Sequence, residues 1–111
     1  MELTFRDETV GAWSVLSVEG ELDMHTSPAL QDALQPLGKG DSPKVAVDLS
    51  SVPFMDSSSL GVLVVELKRL REAGGALALV GVAGSPRKVL SITGIDRVIP
   101  VYDQASELPQ D

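Results

Sequence analysis

An aspartate followed by three consecutive serines, Asp56-Ser57-Ser58-Ser59, lies where an apolar stretch gives way to a long amphipathic one. Hydroxyls at the start of a helix accept hydrogen bonds from its first free N–H groups, so these residues suit a cap. The same place is the positive end of the helix dipole, where a phosphate is well tolerated. Three hydroxyls exceed what a cap uses, which points to a modified site. Ser57 is the best N-cap candidate, since it places Leu60 at the third helical position and starts the apolar stripe in phase. No Glu or Gln at position 60 completes a capping box. Asp23, Asp48 and Asp56 could hold a magnesium ion by their carboxylates, but turn formation is the simpler account of loop aspartates.

The elements that position this block follow from periodicity. Glu2 to Asp7 alternates in the manner of a half-exposed strand, Thr9-Val10-Gly11 forms a turn, and Ala12 to Glu19 returns as the second strand of a hairpin. Trp13 and Val15 alternate out of phase with Leu16 and Val18, which calls for a twist or bulge. A polar loop, Gly20 to Thr26, ends in a helix start with Thr26 or Ser27 as cap and Pro28 in the first turn. Ala29, Leu30, Ala33, Leu34 and Leu37 form that helix's inner face. Lys44 to Leu49 reads as a buried central strand. The second helix runs from about Ser57 to Ala73, with Leu60, Leu63, Val64, Leu67 and Leu70 inward and Val62, Val65 and Glu66 off the core face. Gly74-Gly75 stops it. Ala76 to Gly81 is the fourth strand, Ser85-Pro86 opens a third helix with Val89, Leu90 and Ile92 inward, and Arg97 to Tyr102 is the fifth strand. The order β-β-α-β-α-β-α-β predicts one α/β domain over residues 1–111, with its core about 2–102, a short terminal helix or tail at 103–111, and a mixed, mostly parallel sheet of about five strands. Sites in such sheets gather at the carboxyl ends of the strands, where Asp23 and the Asp56 loop fall.

Composition removes whole classes of function. The chain of 111 residues has no cysteine, so disulfides, thiol catalysis and Cys-based zinc sites are excluded. His25 is the single histidine, which leaves neither a histidine-rich metal site nor a Ser-His-Asp triad. A net charge of −7 argues against nucleic acid as the main partner. No apolar run reaches membrane-spanning length, and the first residues lack a signal-peptide pattern, so a cytoplasmic protein without membrane contact is expected. Neither GxxxxGK[ST] nor GxGxxG after the first strand occurs, and Gly81 to Ser85 reads as a tight turn and cap. A receiver-type phospho-aspartate domain, with Asp48 as acceptor, would need a helix between its first two strands. These exclusions leave no residues that make an independent catalyst, so no enzyme activity, cofactor or metal is expected.

The residues also carry a resemblance. Gly20-Glu21-Leu22-Asp23 after the second strand, combined with Phe54-Met55-Asp56-Ser57-Ser58 before the long helix, resembles the bacterial anti-sigma factor antagonists, the stand-alone members of the STAS domain family. The likeness runs from about Glu2 to Tyr102. It implies a partner-switching regulator. The unphosphorylated protein would bind a serine-kinase anti-sigma factor and free a sigma factor, the kinase would end the binding by phosphorylating a serine, and a PPM-type phosphatase would restore it. On this resemblance Ser57 is the phosphoacceptor, Asp56 the motif aspartate and Asp23 the loop aspartate beside the site. The family commonly has Gly after the two serines. Ser59 departs from that and adds a third candidate hydroxyl, so Ser58 and Ser59 remain secondary candidates.

On the partner surface expected from helix two, Val62 and Val65 either are buried against the sheet edge or the third helix, or flank Ser57 and contact the kinase with Gly61 and Met24. Asp23, Asp56, Ser58 and Ser59 complete the surroundings of the phosphosite, and a charge placed at Val62 would weaken the kinase complex without unfolding the domain. A phosphate adds about −1.5 to −2 charge. Free N–H groups at the helix start would stabilise it internally, while Asp56 and Asp23 would surround it with like charge. Two alternatives are a non-phosphorylated STAS scaffold or lipid-transport subunit and a nucleotide or small-molecule module using the strand-end loops.

Overall fold

The first two strands pair for their full length. β1 (Thr4–Val10) and β2 (Trp13–Glu19) form an antiparallel hairpin in unbroken register from Thr4↔Glu19 to Val10↔Trp13, so the turn is Gly11-Ala12 rather than Thr9 to Gly11. Gly11 sits at φ +60°, the left-handed conformation such two-residue turns require. β1 outlasts its apolar alternation because it is an edge strand, and Asp7, Glu8 and Thr9 face solvent. This computed structural model describes residues 2–110, so Met1 and Asp111, the limits of the expected domain, lie outside the described residues.

β3 (Lys44–Ser51), β4 (Ala76–Val80) and the two-residue β5 (Val101–Tyr102) extend the sheet in parallel, in the order β1-β2-β3-β4-β5. The helices α1 (Ser27–Leu34), α2 (Ser57–Glu72) and α3 (Gly84–Thr93) make the three crossovers. Each crossover steps one strand in the same direction, so connections of one hand place all three helices on one face. The core follows that geometry. Leu16, Val18, Val45, Val47, Leu49, Leu77 and Leu79 pack with Leu30, Leu34, Leu60, Leu63, Leu67, Leu70 and Leu90. The alternate residues Trp13, Val15, Ala46, Ala78 and Val80 form a second cluster on the opposite face with Leu108.

The C-terminal segment therefore does what a helix layer would otherwise do. After a 3₁₀ turn at Ala105–Glu107, Leu108 is buried against the rear face, and Trp13 Nε1 donates to the Pro109 carbonyl at 2.6 Å. The two phases of β2 have the same origin. No bulge interrupts the hairpin; both faces of the strand are covered. The one register shift lies on the β3 side, between Ser17↔Asp48 and Glu19↔Ser51.

Several inward assignments fail at the flanks of helices. Ala29 is exposed on α1; Leu37 still packs against the core, but from a following 3₁₀ turn, Gln35–Gly38, because α1 ends after two turns. Ile92 is 81% exposed on α3, and a 3₁₀ turn (Ile95–Arg97) replaces the start of the expected fifth strand. On α2 the stripe of Leu60, Leu63, Leu67 and Leu70 is buried, but Val64 is 43% exposed while Val62 and Glu66 are buried. At 100° per residue, Val62 and Glu66 lie on one flank of that stripe and Val64 on the other. α2 packs closely on α1 and the 3₁₀ turn after it, which rotates the buried arc away from Val64.

Glu66 is 1% exposed and is held by two bonds from Arg69, Nε to Oε2 at 2.8 Å and Nη2 to Oε1 at 2.7 Å. Gly38 lies flat against that guanidinium, where an added Cβ would come within 2.6 Å of Nη1. Removing one partner of a buried pair leaves the other charge uncompensated. Arg69→Met should therefore cost about 3 kcal/mol, at the low end for such pairs because the arginine is itself partly hydrated. Urea unfolding of Arg69→Met beside Glu66→Gln/Arg69→Met checks this, since the double variant should recover most of the loss. Equal stability of the two variants would count against an uncompensated charge.

Candidate functional site

Two buried anchors bring the separate sequence blocks together. Leu22 and Met55 pair in an isolated parallel bridge, with Leu22 N–H donating to the Phe54 carbonyl at 3.0 Å and Asp56 N–H to the Leu22 carbonyl at 3.0 Å. Both side chains are essentially inaccessible, so apolar burial locks the backbone register. Asp23 and Asp56 each follow an anchor. They consequently share one edge of the sheet, at the carboxyl ends of β2 and β3.

Asp56, not Ser57, is the N-cap of α2. Its Oδ1 accepts from the N–H of Ser58 at 3.0 Å and of Ser59 at 3.4 Å, and from Ser58 Oγ at 2.5 Å. A carboxylate is a stronger acceptor than a hydroxyl and complements the helix dipole, so it takes the cap when the backbone allows. The serines thus become the first three helical residues, turned about 100° from one another. Ser57 points out and is exposed, Ser58 is half-buried, and Ser59 is fully buried. Ser59 Oγ lies 3.0 Å from Ser27 Oγ, and Ser58 Oγ lies 3.2 Å from it. Ser27, itself buried, donates to the Asp23 carbonyl at 2.5 Å. Among the described residues Ser57 Oγ has no hydrogen-bond partner. The expectation of free N–H groups awaiting a phosphate is corrected: the Asp56 carboxylate already occupies those of Ser58 and Ser59.

Asp23 organises its own loop in the same manner. Its Oδ1 accepts from the N–H of His25 at 2.9 Å and of Thr26 at 3.0 Å, and Thr26 Oγ1 in turn bonds the Glu21 carbonyl at 2.7 Å. The Thr26 N–H bond chiefly holds the Asp23 carboxyl below its ordinary value of 3.8. A depressed folded-state value means stability that is present above the unfolded value and lost as pH falls through the folded one. The stability gap between the wild type and Asp23→Asn should thus be full at neutral pH and close progressively once the pH drops below about 3.8. Denaturant unfolding in neutral and acidic buffer measures that gap; one that widens in acid would contradict the assignment.

The rest of the expected surface divides. Met24 is 69% exposed beside the loop, and Gly61 is exposed on α2 with open space where a Cβ would go. Val62 does not belong to this surface; it is buried on the α1 flank, and Val65, 52% exposed, takes the outward position. Ser59 is likewise an interior residue. Phe54, 43% exposed ahead of the cap, was missed as a surface contributor; an aromatic following Pro53 just before a helix was the available signal. Ser27 links the two loops through its hydroxyl rather than capping α1, and the second hydroxyl beside Thr26 is the sequence signal for it. Asp48 lies within β3 rather than in a turn, and its Oδ1 accepts from Ser50 N–H at 2.9 Å. Among the described residues no group of three or more His, Asp or Glu comes together as a metal site.

The features define a class: a one-sided mixed α/β domain that presents an outward serine at a carboxylate-capped helix start, with Met24 and Phe54 exposed in the two loops that the Leu22–Met55 bridge joins. Comparison with known proteins narrows it. The STAS domain family matches residues 2–108, and the chain belongs to that family. The anti-sigma-B factor antagonist of Staphylococcus aureus is 32% identical over 103 residues, covering 93% of this chain and 95% of that protein. The anti-sigma-B factor antagonist of Listeria monocytogenes is 32% identical over 91 residues, 82% of this chain and 80% of that one. The crystal structure of an anti-sigma factor antagonist from Mycobacterium paratuberculosis superimposes with a TM-score of 0.83 at 33% identity, over 95% of this chain and 89% of that chain. Among the described residues no helix is long and apolar enough to cross a membrane.

Proposed function

We propose that this chain is an anti-sigma factor antagonist that works by partner switching. Unphosphorylated, it binds a serine-kinase anti-sigma factor through the surface around Ser57 and thereby releases a sigma factor. Phosphorylation of Ser57 by that kinase ends the binding, and a PPM-type phosphatase reverses it. The observation that carries this reading is the unequal fate of the three hydroxyls. Ser58 and Ser59 are engaged internally, whereas Ser57 is exposed with an unbonded hydroxyl at a helix start where a carboxylate already takes the N–H groups of Ser58 and Ser59. A phosphate there gains no free N–H pair and adds to the charge of Asp56, so its effect falls on the interface. Peptide mapping by mass spectrometry after incubation with the kinase and ATP tests it. A single phosphate on Ser57, absent from Ser57→Ala, is expected. Transfer to Ser58 would move the acceptor, and no transfer at all would defeat the reading.

Gly61 supplies a second check. A glycine inside a helix costs about 0.5–1 kcal/mol relative to alanine. Nothing in the fold requires one here, since a Cβ would meet no atom within 4 Å. Close approach of a partner backbone supplies the reason. Gly61→Ala should raise stability by up to about 1 kcal/mol while weakening kinase binding about tenfold, measured by thermal unfolding and calorimetry. A stabilised variant that binds with undiminished affinity would place the partner elsewhere.

A further inference from the structure

Charge is distributed unevenly along this chain. Six of the nine basic residues, Lys68, Arg69, Arg71, Arg87, Lys88 and Arg97, fall in α2, α3 and the 3₁₀ turn that follows. Only three of the sixteen acidic residues, Glu66, Glu72 and Asp96, share that stretch, and Glu66 is buried against Arg69. In a chain of net charge −7 that stretch is net positive. Within it, α2 and the segment after α3 leave an open groove of about 450 Å³, lined by Val64, Leu67, Lys68, Arg71, Glu72 and Val98, so two cations stand against one carboxylate at its rim. Val64 and Val98 are 43% and 44% exposed there. Arg71 Nη2 donates to the Val98 carbonyl at 3.1 Å and ties the two walls together.

We propose that this groove is a second docking surface, which takes an acidic amphipathic helix from another protein. Its apolar floor would receive leucine- or isoleucine-type anchors at helical spacing, as in helix-in-groove recognition. Lys68 and Arg71 at the rim select acidic residues flanking those anchors. The site is also separate from the Ser57 switch. Lys68 lies eleven residues beyond Ser57, about 16 Å along the helix axis, and a charge at that range is largely screened at physiological salt. The charged rim is therefore beyond the electrostatic reach of a phosphate on Ser57.

The test is fluorescence anisotropy with a labelled helical peptide carrying leucines at i, i+4 and i+7 and glutamates on either side of them, against the same peptide with lysines for the glutamates. Saturable binding of the glutamate peptide is expected, with the lysine peptide weaker by about tenfold or more. Affinity should fall as salt rises. Lys68→Glu and Val98→Asp should each weaken the glutamate peptide about tenfold, and Ser57→Asp should leave it unchanged. Both substitutions are at exposed positions, and thermal unfolding checks that each variant is folded; should Val98→Asp unfold, Lys68→Glu decides. Absence of saturable binding, equal binding of the two peptides, or an affinity indifferent to Lys68→Glu overturns the proposal. So does binding of phosphatidylglycerol vesicles in place of peptide, which assigns the face to lipid. Self-association abolished by Lys68→Glu would assign it to a second copy of the chain. Failure of Ser57 to act as a switch leaves all these readouts untouched.

Discussion

Phosphorylated Ser57 should bind the kinase at least about 100-fold more weakly than the unmodified protein, a loss of about 2.7 kcal/mol, with little change in the unfolding midpoint. The size follows from where the charge lands. A phosphoserine adds about −1.5 to −2 charge to a residue that adjoins the Asp56 carboxylate and shares a sheet edge with Asp23. In solvent that cluster is screened. In an interface that excludes water, like charges a few ångströms apart repel by several kcal/mol. The helix start offers little relief, since Asp56 already accepts from the N–H groups of Ser58 and Ser59. The fold hardly notices, because Ser57 is exposed and its hydroxyl has no hydrogen-bond partner among the described residues. Calorimetric titration of the kinase with both forms, beside Ser57→Ala, measures the effect. Ser57→Ala should stay bound in the presence of ATP. Similar affinities for the phosphorylated and unmodified forms would rule out the switch.

The second large effect separates two valines three residues apart. Val62→Asp should destabilise the domain by about 4 kcal/mol or more, while Val65→Asp should leave stability within about 0.5 kcal/mol. Val62 is 9% exposed within the helix-side core, so its replacement both removes packed apolar surface and buries an unpaired carboxylate. Val65, 52% exposed, loses nothing comparable. A charge introduced to probe the kinase interface accordingly belongs at Val65, where weakened binding can be read without unfolding. Urea denaturation of both variants settles the order, and a Val62→Asp protein as stable as Val65→Asp would refute the packing assignment.

The element order, the parallel strands alternating with helices, the leucine stripe of α2 and the closeness of the Asp23 and Asp56 blocks to one sheet edge were all determined by the sequence itself. Each is a local signal. Apolar spacing at 3.6 or 2 residues reports the face of a single element, and Gly, Pro, Asp and Ser mark its ends. Tertiary structure alone decided the rest. It chose Asp56 over Ser57 as cap, since the bridge between Leu22 and Met55 aims the Asp56 carboxylate at the helix start. It turned Ser59 inward onto Ser27, a residue thirty-two positions away, and left Ser57 outside. It buried Val62 and Glu66 and bared Val64, because α1 covers one flank of α2 and an open groove adjoins the other. It also laid Leu108 across the rear of the sheet, a face left free once every crossover had stepped in one direction. Periodicity describes an element's own face; which flank is buried depends on neighbours that the chain supplies tens of residues away.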